Sequence, residues 1–251
     1  MTVERWDRLT RTRLAEVLPD ALVVVPLGAT EQHGPHLATG TDALMAQTLA
    51  ERAAVRAAPR CARPIVLAPL LPYGASDHHL PFGATLSLRQ DTLVAVLRDL
   101  LRSLHDAGAQ RVVVLNGHGG NRAACALVAG DAAREHGLTV VAASYWEIAN
   151  ARDVAYDPPP VAAGFVPGHA GWFETSLALA LDPSLVQDAP SRPQGTPPLR
   201  SIAGAAVDAP DSWTRIDGYT DDPSQADADA GTRLLDALTA AVADALVEAA
   251  A

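Results

Sequence analysis

The chain has 251 residues, 49% hydrophobic and 19% charged, which excludes a disordered polymer and leaves enough length to bury a full core in one large domain. Its formal net charge of -10 argues against a nucleic-acid partner, because an acidic chain repels phosphate backbones. All 19 basic residues are Arg, so lysine Schiff-base and P-loop chemistry are both excluded.

The N-terminal stretch MTVERWDRLTRTRLAEVLPD mixes both charge signs and has no apolar signal core. No apolar run approaches the roughly 20 residues that span a bilayer, so a soluble, cytoplasmic chain without a membrane partner is expected. Four short apolar segments read as buried strands: Ala21–Leu27, Ile65–Leu71, Arg111–Leu115 and Thr139–Ser144. Helix-like stretches lie between them. Asp42–Ala57 follows Thr41, a plausible cap; Leu88–Ala107 ends at Gly108; Asn121–His136 runs to Gly137. Strands alternating with helices predict an α/β fold, three-layered, with a mainly parallel sheet covered on both faces. The stretch from Asp188 to Asp222 is rich in Pro, Gly, Asp and Ser and reads as a long excursion, a lid or a subunit contact. From about Gln225 to Ala251 the pattern is a surface helix with acidic residues on one side. Cys61 and Cys125 form no CxxC pair and read as small buried hydrophobes.

Ligands of such sheets bind beyond the carboxyl ends of the strands. There the sequence places GATEQHGPH, YGASDHHLPFGATLSL, NGHGGN and YWE, one after each predicted strand. Glu31 and His33 are two apart, so an extended backbone points both the same way. Asp42, at a helix start, can bridge two cations; His36 is a further candidate. The segment read alone is equally a polar loop with a capping Asp. His118 sits among Gly117, Gly119 and Gly120, which permit close backbone approach. A glycine-rich anion turn is the alternative there, although a phosphate loop needs no imidazole. Glu174 falls near a helix start and either ligates a metal or holds His169; a plain helix-start carboxylate and a loop histidine are the alternatives. His78 and His79 are adjacent, so at most one is expected at the centre. His105 and His136 suit surface positions at helix C-termini. Neither GxGxxG nor GxSxG occurs, which leaves a dinucleotide site and a serine elbow unsupported.

PLGATEQHGPH, Asp42, LNGHGGN, SYWE and GHAGWFETSLAL, in that order from about Trp6 to Leu185, resemble the creatininase (creatinine amidohydrolase) family. The resemblance implies an α/β/α fold, often a homohexamer, with two divalent cations (zinc, manganese or iron) and hydrolysis of amide-type C–N bonds. It makes Glu31, His33, Asp42 and His118 metal ligands, with Asp42 bridging and His169 the proton shuttle. Trp146 matches a pocket tryptophan. His79, Ser76, Gly119, Gly120 and Trp172 complete the expected substrate-binding set. The chain departs from creatininase proper where an acidic ligand is replaced by Gly120, and Glu174 is the expected replacement, as ligand and catalytic carboxylate. The tyrosine beside that His becomes Gly119, an expected aromatic is Phe165, and FPGT becomes Leu80-Pro81-Phe82-Gly83-Ala84-Thr85. NGHGGN is typical of other branches, among them a pyrimidine-nucleotide deformylase and the mycofactocin precursor peptidase. The expected function is therefore metal-dependent hydrolysis of a cyclic amide, formamide or short peptide. A non-catalytic metal or small-molecule binding module is the alternative.

Overall fold

The computed structural model describes residues 2–154, 167–191, 193, 195–199, 207 and 209–251. Five strands form one parallel sheet in the order β1-β3-β2-β4-β5: β1 is Val3–Arg5, β2 Leu22–Leu27, β3 Ile65–Leu67, β4 Arg111–Asn116 and β5 Thr139–Ser144. The helices are α1 Arg11–Val17, α2 Thr41–Ala57, α3 Gln90–Asp106, α4 Arg122–His136, α5 Tyr145–Asn150, α6 Trp172–Leu181 and α7 Ala228–Ala249.

Alternate residues of the central strand explain the layers. Leu22 and Val24 point to a core shared with α2, α5, α6 and α7, while Val23 and Val25 point to one shared with α1, α3 and α4. Both faces of β2 are therefore apolar, which is why the segment reads as a continuous Val/Leu run. The two edges differ. Strand β5 leaves Val141 38% exposed, and β1 has only three residues, too short for a periodic signal.

Three expectations need correction. The second predicted strand stops at Leu67 rather than Leu71, because Pro69 has no N–H for the ladder; pairing resumes where Leu71 N–H donates to the Pro26 carbonyl. Helix α1 was hidden by its charge and its seven-residue length, although Thr10 caps it by accepting from Arg13 N–H. The C-terminal helix is not confined to the surface. Its Leu234, Leu235, Leu238, Val242 and Leu246 are buried, while Asp229, Asp236, Asp244 and Glu248 point outward. A Cβ on Gly231 would lie 1.9 Å from the Ser176 carbonyl, so glycine permits the close crossing of α6 and α7. Cys61 and Cys125 are buried and unbridged, as expected. Among the described residues no helix is long and apolar enough to cross a membrane.

Candidate metal centre

The loops after β2, β3 and β4 meet above the carboxyl edge of the sheet, and α2 and α6 begin there. Close packing sets their positions. A Cβ on Gly28 would lie 2.4 Å from Ala43 Cα, and one on Gly117 would lie 2.8 Å from the Asp42 carbonyl. The first turn of α2 is thus pressed against the ends of β2 and β4, and this delivers Asp42 to the centre. Asn116 and Asn121 tie the loops together. Asn116 accepts from His118 N–H (3.1 Å) and donates to its carbonyl (2.7 Å). Asn121 donates to the Gly28 carbonyl (3.0 Å) and to Asn116 Oδ1 (3.1 Å), and accepts from Ala75 N–H (2.9 Å).

Glu31, His33, Asp42, His118, His169 and Glu174 are all buried, and the structure brings all six together. Asp42 faces two histidines with separate oxygens: Oδ1 lies 3.1 Å from His33 Nε2 and Oδ2 lies 2.9 Å from His118 Nδ1. Glu31 Oε1 lies 3.3 Å from His118 Nδ1, 3.6 Å from His169 Nδ1 and 3.5 Å from His79 Nε2. Glu174 Oε2 is 3.9 Å from His33 Nε2 and accepts from Ala170 N–H at 2.5 Å.

The second ring nitrogen of each histidine fixes its role. His33 Nδ1 sits 3.1 Å from the Glu31 carbonyl, His118 Nε2 3.1 Å from the Ala75 carbonyl and His169 Nε2 2.9 Å from the Gln32 carbonyl. A carbonyl only accepts, so each of these nitrogens carries its ring's N–H. Each ring then turns its other nitrogen, a lone pair, toward carboxylates. Lone pairs facing carboxylates repel unless a proton or a cation lies between them. Both carboxylate oxygens of Glu31 are buried and lack a hydrogen-bond partner. Histidines tethered in this way and an orphaned carboxylate fit divalent cations. Among the described residues, three sets of side chains offer donor atoms within 4.8 Å of one another: His33, Asp42 and Glu174; Glu31, His78 and His118; and Glu31, His33 and His169.

The electrostatics agree. Burial opposes charging of His33, yet Asp42, with Glu174 and Glu31, raises it to about 10. His118 is held well above the usual imidazole range by Glu31 and Asp42, against its burial. Glu31 is held below the carboxylate range, despite burial, by His118, His169 and His79. Protons on His33 and His118 thus occupy the role that a cation would take, and metal binding would expel them. Burial pushes Glu174 up to about 8 and, with the charge of His33, pushes His169 down to about 3.

Both adjacent histidines reach the centre, against expectation. They stand on a 3-10 turn, Asp77–Phe82, that straddles Glu31 with the two rings 4.2 Å apart. His79 accepts from Gln32 Nε2–H at Nδ1 (2.7 Å), which leaves its Nε2 facing Glu31 at 3.5 Å without a hydrogen-bond partner. Gln32 is itself oriented by Gly34 N–H and the Gly218 carbonyl. His36 stays outside the cluster, paired with Thr175 at 3.0 Å. His105 and His136 stack on each other at 5.3 Å, at the C-terminal ends of α3 and α4.

Of the expected substrate-binding residues, Trp146 and Gly119 line a cavity of about 240 Å³ together with His118, His169, Glu174 and Arg122. Arg122 is paired with Glu147 there. Trp172 does not face it: the ring is packed in the core and its Nε1–H donates to the Gln225 carbonyl. Ser76 is buried behind His118, 3.3 Å from Nε2. At Gly120 a Cβ would lie 2.1 Å from the Ala75 carbonyl, so this backbone admits no side chain at the position of the missing acidic ligand. Phe165 lies outside the described residues.

Two contributions were missed in the sequence. Thr220 and Asp221, at the end of the long excursion, brace the His169 loop: Thr220 Oγ1 accepts from His169 N–H (2.7 Å) and Asp221 Oδ2 from Trp172 N–H (2.9 Å). Gly171 is required beneath them, since a Cβ would lie 1.9 Å from Asp221 Oδ1. Trp213, in the same excursion, sits over the histidines, 4.5 Å from His79 and 5.4 Å from His169 between ring centroids. A lone tryptophan in a polar stretch was its only signal.

Comparison with known proteins gives the same picture. The family model of creatininase, creatinine amidohydrolase, matches residues 7–246. The mycofactocin precursor peptide peptidase of Mycobacterium tuberculosis is 32% identical over 233 residues, 91% of this chain and 85% of its own. The creatinine amidohydrolase of Pseudomonas putida is 33% identical over 187 residues, 66% of each chain. A manganese form of creatininase superposes with a TM-score of 0.81 at 28% identity, covering 98% of both chains. A creatininase variant of Zn-Zn type gives 0.77 at 28% identity, covering 97% of both. A match over nearly the whole chain, on a sheet that gathers His, Glu and Asp at its carboxyl edge, makes this chain a hydrolase of the creatininase family.

Proposed function

We propose that this protein is a metal-dependent amide hydrolase acting on a peptide-like substrate. The observation that carries the reading is the set of three histidines, each tethered to a backbone carbonyl and each turning its second nitrogen toward carboxylates. His33, Asp42 and Glu174 would hold one divalent cation. Glu31 and His118 would hold a second, sharing Asp42, whose two oxygens already face different histidines. Zinc is the first choice, with manganese and iron compatible with the same mixed donors. Bound cations supply a water acidified to about neutral pKa and a Lewis acid for the amide carbonyl.

The chain's own residues do the rest. His169 keeps Nε2–H on the Gln32 carbonyl, which leaves the Nδ1 lone pair facing the centre, free to take the proton released by the attacking water. It then passes that proton to the departing nitrogen as the C–N bond breaks and the C–O bond remains. His79 Nε2 faces Glu31 at 3.5 Å and lies beside that carboxylate without bonding it. Trp146 walls the cavity where the acyl group sits. The similarity to a peptidase over 91% of the chain supports a peptide-like substrate over a cyclic one. A nucleotide is disfavoured, because Arg122 is the one arginine among the described residues lining the cavity and Glu147 already pairs with it.

Metal analysis of the purified protein, before and after chelation, tests this. Two ions per chain are expected, with peptide-amide hydrolysis lost on chelation and restored by zinc or manganese. His118→Ala should lose at least one ion and on the order of 10³-fold in turnover. Full metal content with unchanged turnover in that variant would sink the reading.

A further inference from the structure

A second cavity, of about 370 Å³, is lined by His78 and shares no described lining residue with the cavity at Trp146. It falls at the low end of the range that small-ligand sites occupy, roughly 300–1,000 Å³. Trp213, Pro81, Pro210 and Ala75 give it apolar walls, and Asp77 is the one carboxylate among its described lining residues, with no arginine. Trp213 is half-buried, and its ring borders both this cavity and the histidines, 5.3 Å from His78 and 4.5 Å from His79.

This wall is anchored. The Trp213 carbonyl accepts from Ile216 N–H (3.2 Å) and Gly218 N–H (3.1 Å), Ile216 is buried, and the Gly218 carbonyl accepts from Gln32, the neighbour of Glu31. Asp77 is likewise fixed, accepting from Ser87 Oγ at 2.6 Å. The two cavities therefore adjoin through the His78 and His118 rings, 5.8 Å apart, and differ in character: Arg122 lines one, Asp77 and an indole the other.

We infer that the second cavity is a recognition subsite for an aromatic, uncharged or cationic group of the substrate, stacked on Trp213 and facing Asp77. An indole face recognises a flat ring by offset or edge-on stacking and also attracts cations. A carboxylate without a compensating arginine repels anionic groups. The subsite rests on the reading of the chain as an amide hydrolase and specifies which amides it takes. Residues on both sides of the scissile bond are then held, one group per cavity, and this suits an extended substrate.

Blocked dipeptides carrying Phe, Lys, Glu or Gly on either side of the scissile amide test the inference on the metal-loaded protein. Calorimetric titration with phenylalanine amide and glycinamide provides a readout independent of turnover. In one of the two series, kcat/KM for Phe should exceed that for Gly by about tenfold, the scale of one aromatic contact, and Glu should be poorest. Trp213→Ala should abolish the Phe-over-Gly preference in both turnover and binding, whereas Trp213→Phe should keep most of it. Asp77→Arg should raise Glu relative to Lys. A Phe-over-Gly ratio that is the same in wild type and Trp213→Ala overturns the subsite and leaves the hydrolase reading intact. No hydrolysis of any dipeptide, together with Trp213-dependent binding of phenylalanine amide, overturns the peptide-amide reading and supports the subsite.

Discussion

The loops that follow β2 and β4 are locked by backbone contact, whereas the wall opposite them is held by side-chain hydrogen bonds. On the first side, Gly28, Gly117 and Gly120 sit where any Cβ would run into backbone atoms of Ala43, Asp42 and Ala75. On the second, His169 and Trp172 depend on Thr220 Oγ1 and Asp221 Oδ2, which arrive from about 50 residues later in the chain, at separations of 51 and 49. Close-packed backbone has few ways to relax, so it suits ligands that must not move. Side-chain braces hold the His169 loop and the start of α6 through single contacts that one substitution can remove.

Three substitutions break or sharpen this contrast, taken from the largest expected effect to the smallest. Asn121→Ala strips the Ala75 N–H and Gly28 carbonyl of their partner. Buried polar groups left unpaired cost about 1–3 kcal/mol each, and loss of support behind metal ligands costs roughly 10–100-fold in metal affinity. Thermal unfolding and metal titration should therefore both fall; an unchanged metal affinity would show that the asparagine bridge is dispensable. Gly120→Glu puts back an acidic residue where creatininase proper is expected to have one. The Cβ meets the Ala75 carbonyl at 2.1 Å, so a destabilisation of about 1–3 kcal/mol by overpacking is predicted, without tighter metal binding. A gain in metal affinity at unchanged melting temperature would mean that the loop shifts to accept the side chain. Asp221→Ala removes the acceptor for Trp172 N–H at the start of α6, a loss of about 1 kcal/mol by analogy with helix caps. It should lower turnover through His169 while leaving metal content intact. A loss of metal instead would tie the brace to the ligands themselves.

The fold was legible where periodicity was strong. Strand β5 and the C-terminal ends of α2 and α4 fall where the apolar pattern and the helix-end signals put them. Strand β1 and helix α1 were illegible, because Val3–Arg5 and Arg11–Val17 are too short and too charged to carry a period. The proline that ends β3 was visible, but its consequence depends on which neighbour the missing N–H would have faced.

By itself the sequence singled out the residues that meet at the centre. Glu31, His33, Asp42 and His118 stand in glycine-flanked or helix-start positions after predicted strands, where donors on a parallel sheet converge, and His169 and Glu174 stand beside a glycine and at a helix start. Tertiary structure alone decided which nitrogen of each histidine is available, since that depends on carbonyls of Glu31, Ala75 and Gln32 that come near only on folding. It also moved Trp172 into the core and set Trp213 over the histidines. The physical reason is one of range: spacing along the chain fixes which side chains share an edge, whereas the facing of an indole or the tautomer of an imidazole is set by atoms distant in sequence.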